Sequence, residues 1–299
     1  MDMLQIHGLH KRFGDKPVLQ GLELTVPEHS IFGFIGKNGA GKTTTMKTVL
    51  GLLKADAGEI YVNGEKVVYG TSPANRHIGY LPDVPAFYSY MTAREYLQFC
   101  GEISGMASAD IHGRSRQLLE LVGLAEETHR IKGFSRGMKQ RLGIAQALLN
   151  RPKLLICDEP TSALDPVGRK EILDILLAAR QQTTVLFSTH ILSDVERICT
   201  DVAFLNNGVA ALQGPMAEVT SRFRSDVYRL ETDSDLARQQ LLAAFDGMEA
   251  ADDGVLQFRQ QRHDIHEVLG FVAEKRLPLV RLEQVAPTLE SLFMEVTGP

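Results

Sequence analysis

The sequence predicts an α/β protein built around a mostly parallel sheet, on three observations. A glycine-rich loop, Gly36–Thr43, lies between an apolar run that suits a buried strand and a segment that suits a helix. From Leu154 onward, short apolar runs alternate with helical stretches, as in strands joined by crossover helices. Between them, residues 92–150 carry apolar residues at helical spacing and little strand signal, which marks an α-helical insert.

Each element follows in order. Residues 1–30 hold short alternating runs, Leu4-Gln5-Ile6 and Leu22-Glu23-Leu24-Thr25-Val26, broken by Gly14, Pro17, Gly21 and Pro27. That pattern predicts an antiparallel β subdomain. From 31 to 80 the order is strand, glycine-rich loop, helix, then strands near Glu59–Val62 and Ile78–Leu81. Helices are expected at 93–104, 110–122 and 137–149. Strand Leu154–Cys157, helix 167–180, strand Thr184–Phe187, helix 191–198 and strand Val202–Leu205 complete the core. The pattern weakens near 214–226, where a second unit begins. Strand 228–232, helix 234–245, a hairpin over 248–259 turning at Asp252-Asp253-Gly254, helix 263–275 and strand 278–285 give the order β-α-β-β-α-β, that of a ferredoxin-like unit. A short helix follows at 288–296. The expected domains are therefore 1–215, with its helical part at about 84–150, and a small α+β accessory domain at 220–299.

Composition narrows the function classes. A chain of 299 residues, 44% hydrophobic and 23% charged, buries a sizeable core and has room for two domains. A net charge of −5 gives no global attraction to nucleic acid or anionic lipid. No apolar stretch approaches about 18 residues, and the start lacks the basic and apolar regions of a secretory signal. Direct membrane insertion is not expected. Cys100, Cys157 and Cys199 are odd in number and far apart, so they read as reduced, mostly buried thiols of an intracellular protein.

The loop reads Gly36-Lys37-Asn38-Gly39-Ala40-Gly41-Lys42-Thr43, followed by Thr44: a complete G-x-x-x-x-G-K-[ST] phosphate loop in its strand–helix setting. Its glycines let backbone N–H groups turn around phosphate oxygens, and the helix N-terminus adds partial positive charge. Lys42 is expected to reach the β/γ-phosphates and the Thr43 hydroxyl to hold Mg²⁺. The setting predicts a RecA-like phosphate-loop NTPase core. A second element, Leu154-Leu155-Ile156-Cys157-Asp158-Glu159, ends a buried strand with two acids. At the C-terminal tip of a parallel strand, Asp158 suits the shell of the Mg²⁺ and Glu159 suits a general base. A third, Phe134-Ser135-Arg136-Gly137-Met138, opens a helix with a good N-cap and a glycine that permits close backbone approach. His263 and His266 share a helical face and read as solvated.

Together, in this order, the elements resemble the nucleotide-binding subunits of ABC transporters over roughly residues 3–215. Gly36–Thr43 is similar to that family's Walker A, Leu154–Asp158 with Glu159 to its Walker B and catalytic glutamate, and Phe134–Met138 to its signature motif. Ser162-Ala163-Leu164-Asp165 resembles the D-loop and His190 the switch histidine. Phe13 stands where the family keeps an aromatic that stacks on adenine. Three positions, in two motifs, depart from the pattern. Asp83 stands where the family usually has the Q-loop glutamine, and a carboxylate there can bind Mg²⁺ directly or through water. Arg136 and Met138 stand for the signature's usual glycine and glutamine. Such variants, and the tail Pro287–Gly298, resemble the export branch that includes bacitracin-resistance and sodium-extrusion ATPases.

The resemblance implies ATP and Mg²⁺ as ligands, and a head-to-tail pair of copies sandwiching ATP between one phosphate loop and the other copy's Ser135, Gly137 and Met138. It also implies a separate membrane permease, expected to have six spans. The chain would then be cytoplasmic and peripheral on the inner face of the membrane. Two rival classes fit less. ABC ATPases of translation or DNA repair generally carry two cassettes or a long coiled-coil insert. A phosphate-loop kinase needs an acceptor pocket and lid, and a GTPase needs an Asn-Lys-x-Asp motif that the chain lacks.

Overall fold

The computed structural model describes residues 2–222, 227–252, 254–285 and 288–297. It comprises two compact units, Met1–Val219 with Phe293–Pro299, and Thr220–Leu292.

In the first unit, β1 (Asp2–Phe13) and β2 (Lys16–Pro27) form a long antiparallel pair. Their alternation buries Leu4, Ile6, Leu22, Leu24 and Val26 while the intervening polar residues stay in solvent. β3 (Ile31–Gly36) and α1 (Lys42–Val49) flank the glycine-rich loop, followed by β4 (Ala57–Val62), β5 (Glu65–Lys66) and β6 (Ile78–Leu81). The antiparallel sheet has the order β2-β1-β4-β5. The short runs read from sequence are parts of strands twelve residues long, whose pairing is interrupted by register shifts, one of them mid-strand between Ile6 and Leu9.

Three helices follow, α2 (Ala93–Ile103), α3 (Ser108–Leu121) and α4 (Arg136–Leu148). Each falls within two residues of its expected span. α2 starts at a reciprocal cap, in which Thr92 Oγ1 accepts from Glu95 N and Glu95 accepts from Thr92 N. The alternation then resumes with β7 (Leu154–Asp158), α5 (Pro166–Ala179), β8 (Thr184–Thr189), α6 (Leu192–Ile198), β9 (Asp201–Asn206), β10 (Val209–Pro215) and α7 (Met216–Arg222). The main sheet has the order β10-β9-β3-β8-β7-β6. All its neighbours run parallel except β10, which folds back on β9. β10 escaped the sequence reading although Asn207-Gly208 is a two-residue hairpin signal, and both residues take positive φ, 46° and 77°.

β3, β7 and β8 are buried along their whole length, which is why they read as continuous apolar runs. The two sheets share one core. Leu4, Ile6, Leu24 and Val62 of the antiparallel sheet cluster with Phe32, Phe34, Ile156, Leu186 and Leu205 of the parallel one, and Met46 and Val49 of α1 belong to the same cluster. The phosphate-loop helix is thereby anchored from below by packing.

The second unit contains β11 (Val227–Glu231), α8 (Asp235–Ala244), β12 (Glu249–Asp252), β13 (Val255–Arg259), α9 (Ile265–Glu274) and β14 (Arg281–Gln284), and α10 (Leu289–Thr297) ends the chain. Its sheet has the order β12-β13-β11-β14, and every pair is antiparallel. This is the split β-α-β arrangement. Its own core holds Leu230, Leu241, Phe245, Leu256, Phe258 and Val268. Asp253 of the expected turn, residues 223–226 of the expected junction, and Pro287 and Gly298 of the tail lie outside the described residues. The boundary between units falls inside α10. Past it, the Phe293 ring lies 5.9 Å from that of Phe204, and Asn206 Nδ2 donates to the Val296 carbonyl at 3.3 Å, both within the first unit.

Candidate functional site

The parallel strands β3, β7 and β8 end at the same edge of the main sheet, because Ile35 pairs with Thr189 and Asp158 with Ser188. Residues just beyond those tips therefore converge, as ligand-binding residues do at the C-terminal edge of an open α/β sheet. From β3 come Gly36 and the glycine-rich loop. Gly39 and Gly41 take φ of 83° and 112°, a region that side-chain-bearing residues avoid. A Cβ on Gly41 would come within 2.9 Å of Leu19 Cδ2, and one on Gly36 within 2.9 Å of the Leu205 carbonyl. The loop is thus a backbone cradle with no room for side chains at those two points, closed by an Ala40 N to Lys37 O turn. α1 starts directly behind it, so the amides of its first turn lack helical partners and remain available to an anion.

Lys42 is buried, 6% exposed, and its Nζ donates to the Gly36 carbonyl at 2.7 Å and lies 3.3 Å from Glu159 Oε1. The other oxygen of Glu159, Oε2, lies 2.9 Å from His190 Nδ1. Lys42, Glu159 and His190 therefore form one line of polar contacts across three strand tips. Glu159 itself has φ of 49°, an uncommon left-handed conformation for a residue with a side chain. Its amide is fixed by Ser188, from the hydroxyl at 3.1 Å and the carbonyl at 3.2 Å. Such strain concentrates where a fixed side-chain direction matters.

Beside this line, Thr43 Oγ1 donates to Asp158 Oδ2 at 2.8 Å, and Ser188 Oγ donates to Asp158 Oδ1 at 2.6 Å. Hydroxyl and carboxylate oxygens are the hard donors that Mg²⁺ selects, so this pair fits that ion. Burial, with Asp158 close by, pushes the Tyr80 phenol up to about 12, leaving it neutral.

Sequence reasoning missed Ser188. Its only signal was a polar residue near the end of an otherwise apolar strand, opposite Asp158. It also missed Thr161, Arg169 and Asp194. The buried Asp194 accepts from Thr161 Oγ1 at 2.7 Å and Arg169 Nη2 at 2.6 Å, pinning the turn after Glu159 to α5 and α6.

The remaining candidates form separate groups. Ser135 caps α4, accepting from Met138 N at 3.2 Å; it is exposed, and Gly137 and Met138 are partly so. Among the described residues, no hydrogen bond of Ser135 reaches the Lys42 cluster. Asp165 caps α5 through Gly168 N at 2.9 Å. The Asp83 carboxylate pairs with Arg136 at 3.3 Å. Phe13 ends β1, half exposed, with Lys11 Nζ 5.6 Å from its ring centre.

The family model described as ABC transporter matches residues 19–162, from β2 through the loop and the helices to the turn after Glu159. Over 98% of its length the chain is 38% identical to the uncharacterized ABC transporter ATP-binding protein YxlF of Bacillus subtilis (strain 168), covering 99% of that protein. The chain belongs to the ABC transporter ATP-binding family. It is also 35% identical to the bacitracin transport ATP-binding protein BcrA of Bacillus licheniformis, over 97% of this chain and 95% of that one, which bears out the expected likeness to the bacitracin group. A solved structure of the ATP-binding subunit of an ABC transporter superposes with a TM-score of 0.66 at 31% identity, covering 74% of this chain and 93% of that one. This ABC ATP-binding subunit is an ATPase, and the predicted phosphate-loop α/β core is its fold. Subunits of the family work with membrane permease components and form dimers. Among the described residues, no helix is long and apolar enough to cross a membrane.

Proposed function

We propose that this subunit drives an exporter: ATP closes two copies head to tail, hydrolysis reopens them, and a membrane permease of six spans follows the movement. The observation that carries this reading is the split between two groups of residues. The Lys42–Glu159–His190 line, running from the buried Lys42 to the exposed His190, can grip and cleave a triphosphate. The exposed end of α4 at Ser135, Gly137 and Met138 offers helix-terminal amides to an anion on a different molecule. Export in particular is supported by the relative named for bacitracin transport. The chain would sit on the inner face of the membrane through its permease alone.

In this mechanism the glycine-rich cradle and Lys42 bind the β- and γ-phosphates. Thr43, Asp158 and Asp83 are the residues that would hold Mg²⁺, which would supply charge neutralisation at the phosphates. Ser188 keeps Asp158 oriented. Glu159, aimed by its left-handed backbone, accepts the proton of the attacking water. His190 orients the Glu159 carboxylate and senses the γ-phosphate. Phe13 offers a ring face to adenine, and Asp165 stands at the seam between copies. The test is Glu159→Gln. It is expected to retain ATP and elute as a dimer in its presence, with phosphate release cut by at least about a hundredfold, the scale of a general base. A variant that hydrolyses at the parental rate, or stays monomeric with ATP, refutes the reading.

A further inference from the structure

Two of the three positions that depart from the family pattern, Asp83 and Arg136, meet each other in space. Arg136 Nη2 donates to Asp83 Oδ1 at 3.3 Å, and Gln140 Nε2 donates to the Asp83 carbonyl at 2.7 Å. Arg136 and Gln140 are four residues apart on α4 and so share a face. Gly143, one turn further on, lies on the same face: a Cβ there would come within 2.5 Å of Leu81 Cδ1 and 3.4 Å of Pro85 Cβ. One face of α4 thus grips the segment 81–85 at three successive levels. Gln140 is 1% exposed, and among the described residues its Oε1 has no hydrogen-bond partner, so the hydrogen bond its side chain makes there goes to this loop.

The chemistry of the upper level is reciprocal. An arginine in the first turn of a helix is repelled by the positive end of the helix dipole. An aspartate beside a triphosphate adds repulsion wherever its charge is not offset. Each departure is unfavourable alone, and the contact between them offsets both.

From this geometry we infer that Asp83 and Arg136 form a charge clasp, each a positioning residue for the other, that makes the loop after β6 and the Ser135 end of α4 move as one piece. The inference rests on the reading that both ends face nucleotide, one in each half of a shared site. Movement of either end on binding ATP is then passed directly to the other.

A double-mutant cycle tests it on the full chain, with ATP turnover and thermal midpoint both measured for Asp83→Asn, Arg136→Met and the pair. Both side chains are about half exposed, 46% and 45%, so each single change is expected to lower kcat by about two- to fivefold. The double variant should be no slower than the slower single, and Arg136→Lys should retain more than half the parental rate. Multiplying effects, singles without effect, or Arg136→Lys falling as far as Arg136→Met would each overturn the clasp. Failure of the dimer reading shows separately, as a Glu159→Gln chain that stays monomeric. The cycle in thermal midpoint, taken without nucleotide, does not depend on that result.

Discussion

Replacing Glu159 by Gln separates two roles of one carboxylate, and their energetic signs differ. The substitution keeps the shape and a hydrogen-bond acceptor but removes the charge 3.3 Å from the buried Lys42 ammonium. Charge-assisted hydrogen bonds are worth about 1.5–3 kcal/mol and neutral ones about half that. Both groups are largely buried, 6% and 15% exposed, so solvent screening discounts this little. The chain without nucleotide should lose about 1 kcal/mol. At about 2–4 °C per kcal/mol for a unit of this size, the midpoint falls by about 2–4 °C. Phosphate restores a negative partner to Lys42, so ATP should raise the midpoint of the variant by more than that of the parent, by roughly the same increment. Differential scanning fluorimetry with and without ATP reads both quantities, and phosphate release reads turnover. Equal midpoints and equal ATP shifts in the two proteins would show that Lys42 does not depend on Glu159.

Three further expectations follow from neighbouring contacts. Ser188→Ala leaves a buried Asp158 oxygen and weakens the hold on the Glu159 amide; it should cost about 1–3 kcal/mol in urea unfolding and slow turnover, and a stable, fully active variant would contradict the bridging role. Gly79→Ala would bring a Cβ to 2.2 Å from the Ala147 carbonyl, so it should destabilise the first unit by at least about 1–3 kcal/mol, and an unchanged urea midpoint would refute that packing. Burial raises the thiols of Cys157 and Cys199 above their ordinary range and keeps them neutral at pH 8; a thiol-reactive dye should titrate at most one cysteine in the native chain and all three after denaturation, and rapid native reaction at three sites would contradict it.

Much of this molecule was legible in the sequence because its centre is extreme in pattern. β3, β7 and β8 are buried on both faces and spell continuous apolar runs. α2, α3 and α4 each bury one stripe, and their period survives intact. The elements that escaped are short or at an edge. β5 is two residues long, and β10 lies at the sheet edge, buried too little for its alternation to stand out. The phosphate loop, Asp158 and Glu159 were readable because motif spacing encodes their chemistry. Ser188, Gln140 and Asp194 were not, since each matters only through contacts 25 to 57 residues away in sequence. The pairing of Asp83 with Arg136 was unreadable for the same reason: two apparent irregularities have one common cause only in three dimensions.

The final helix carries a practical consequence. Because Phe293 and Val296 return to β9, and β9 flanks the strand that bears the phosphate loop, the accessory unit is an insertion spliced into the cassette and not an appendage hung from its end. A chain shortened after Val219 would not yield a clean cassette, since it would strip an aromatic partner from Phe204.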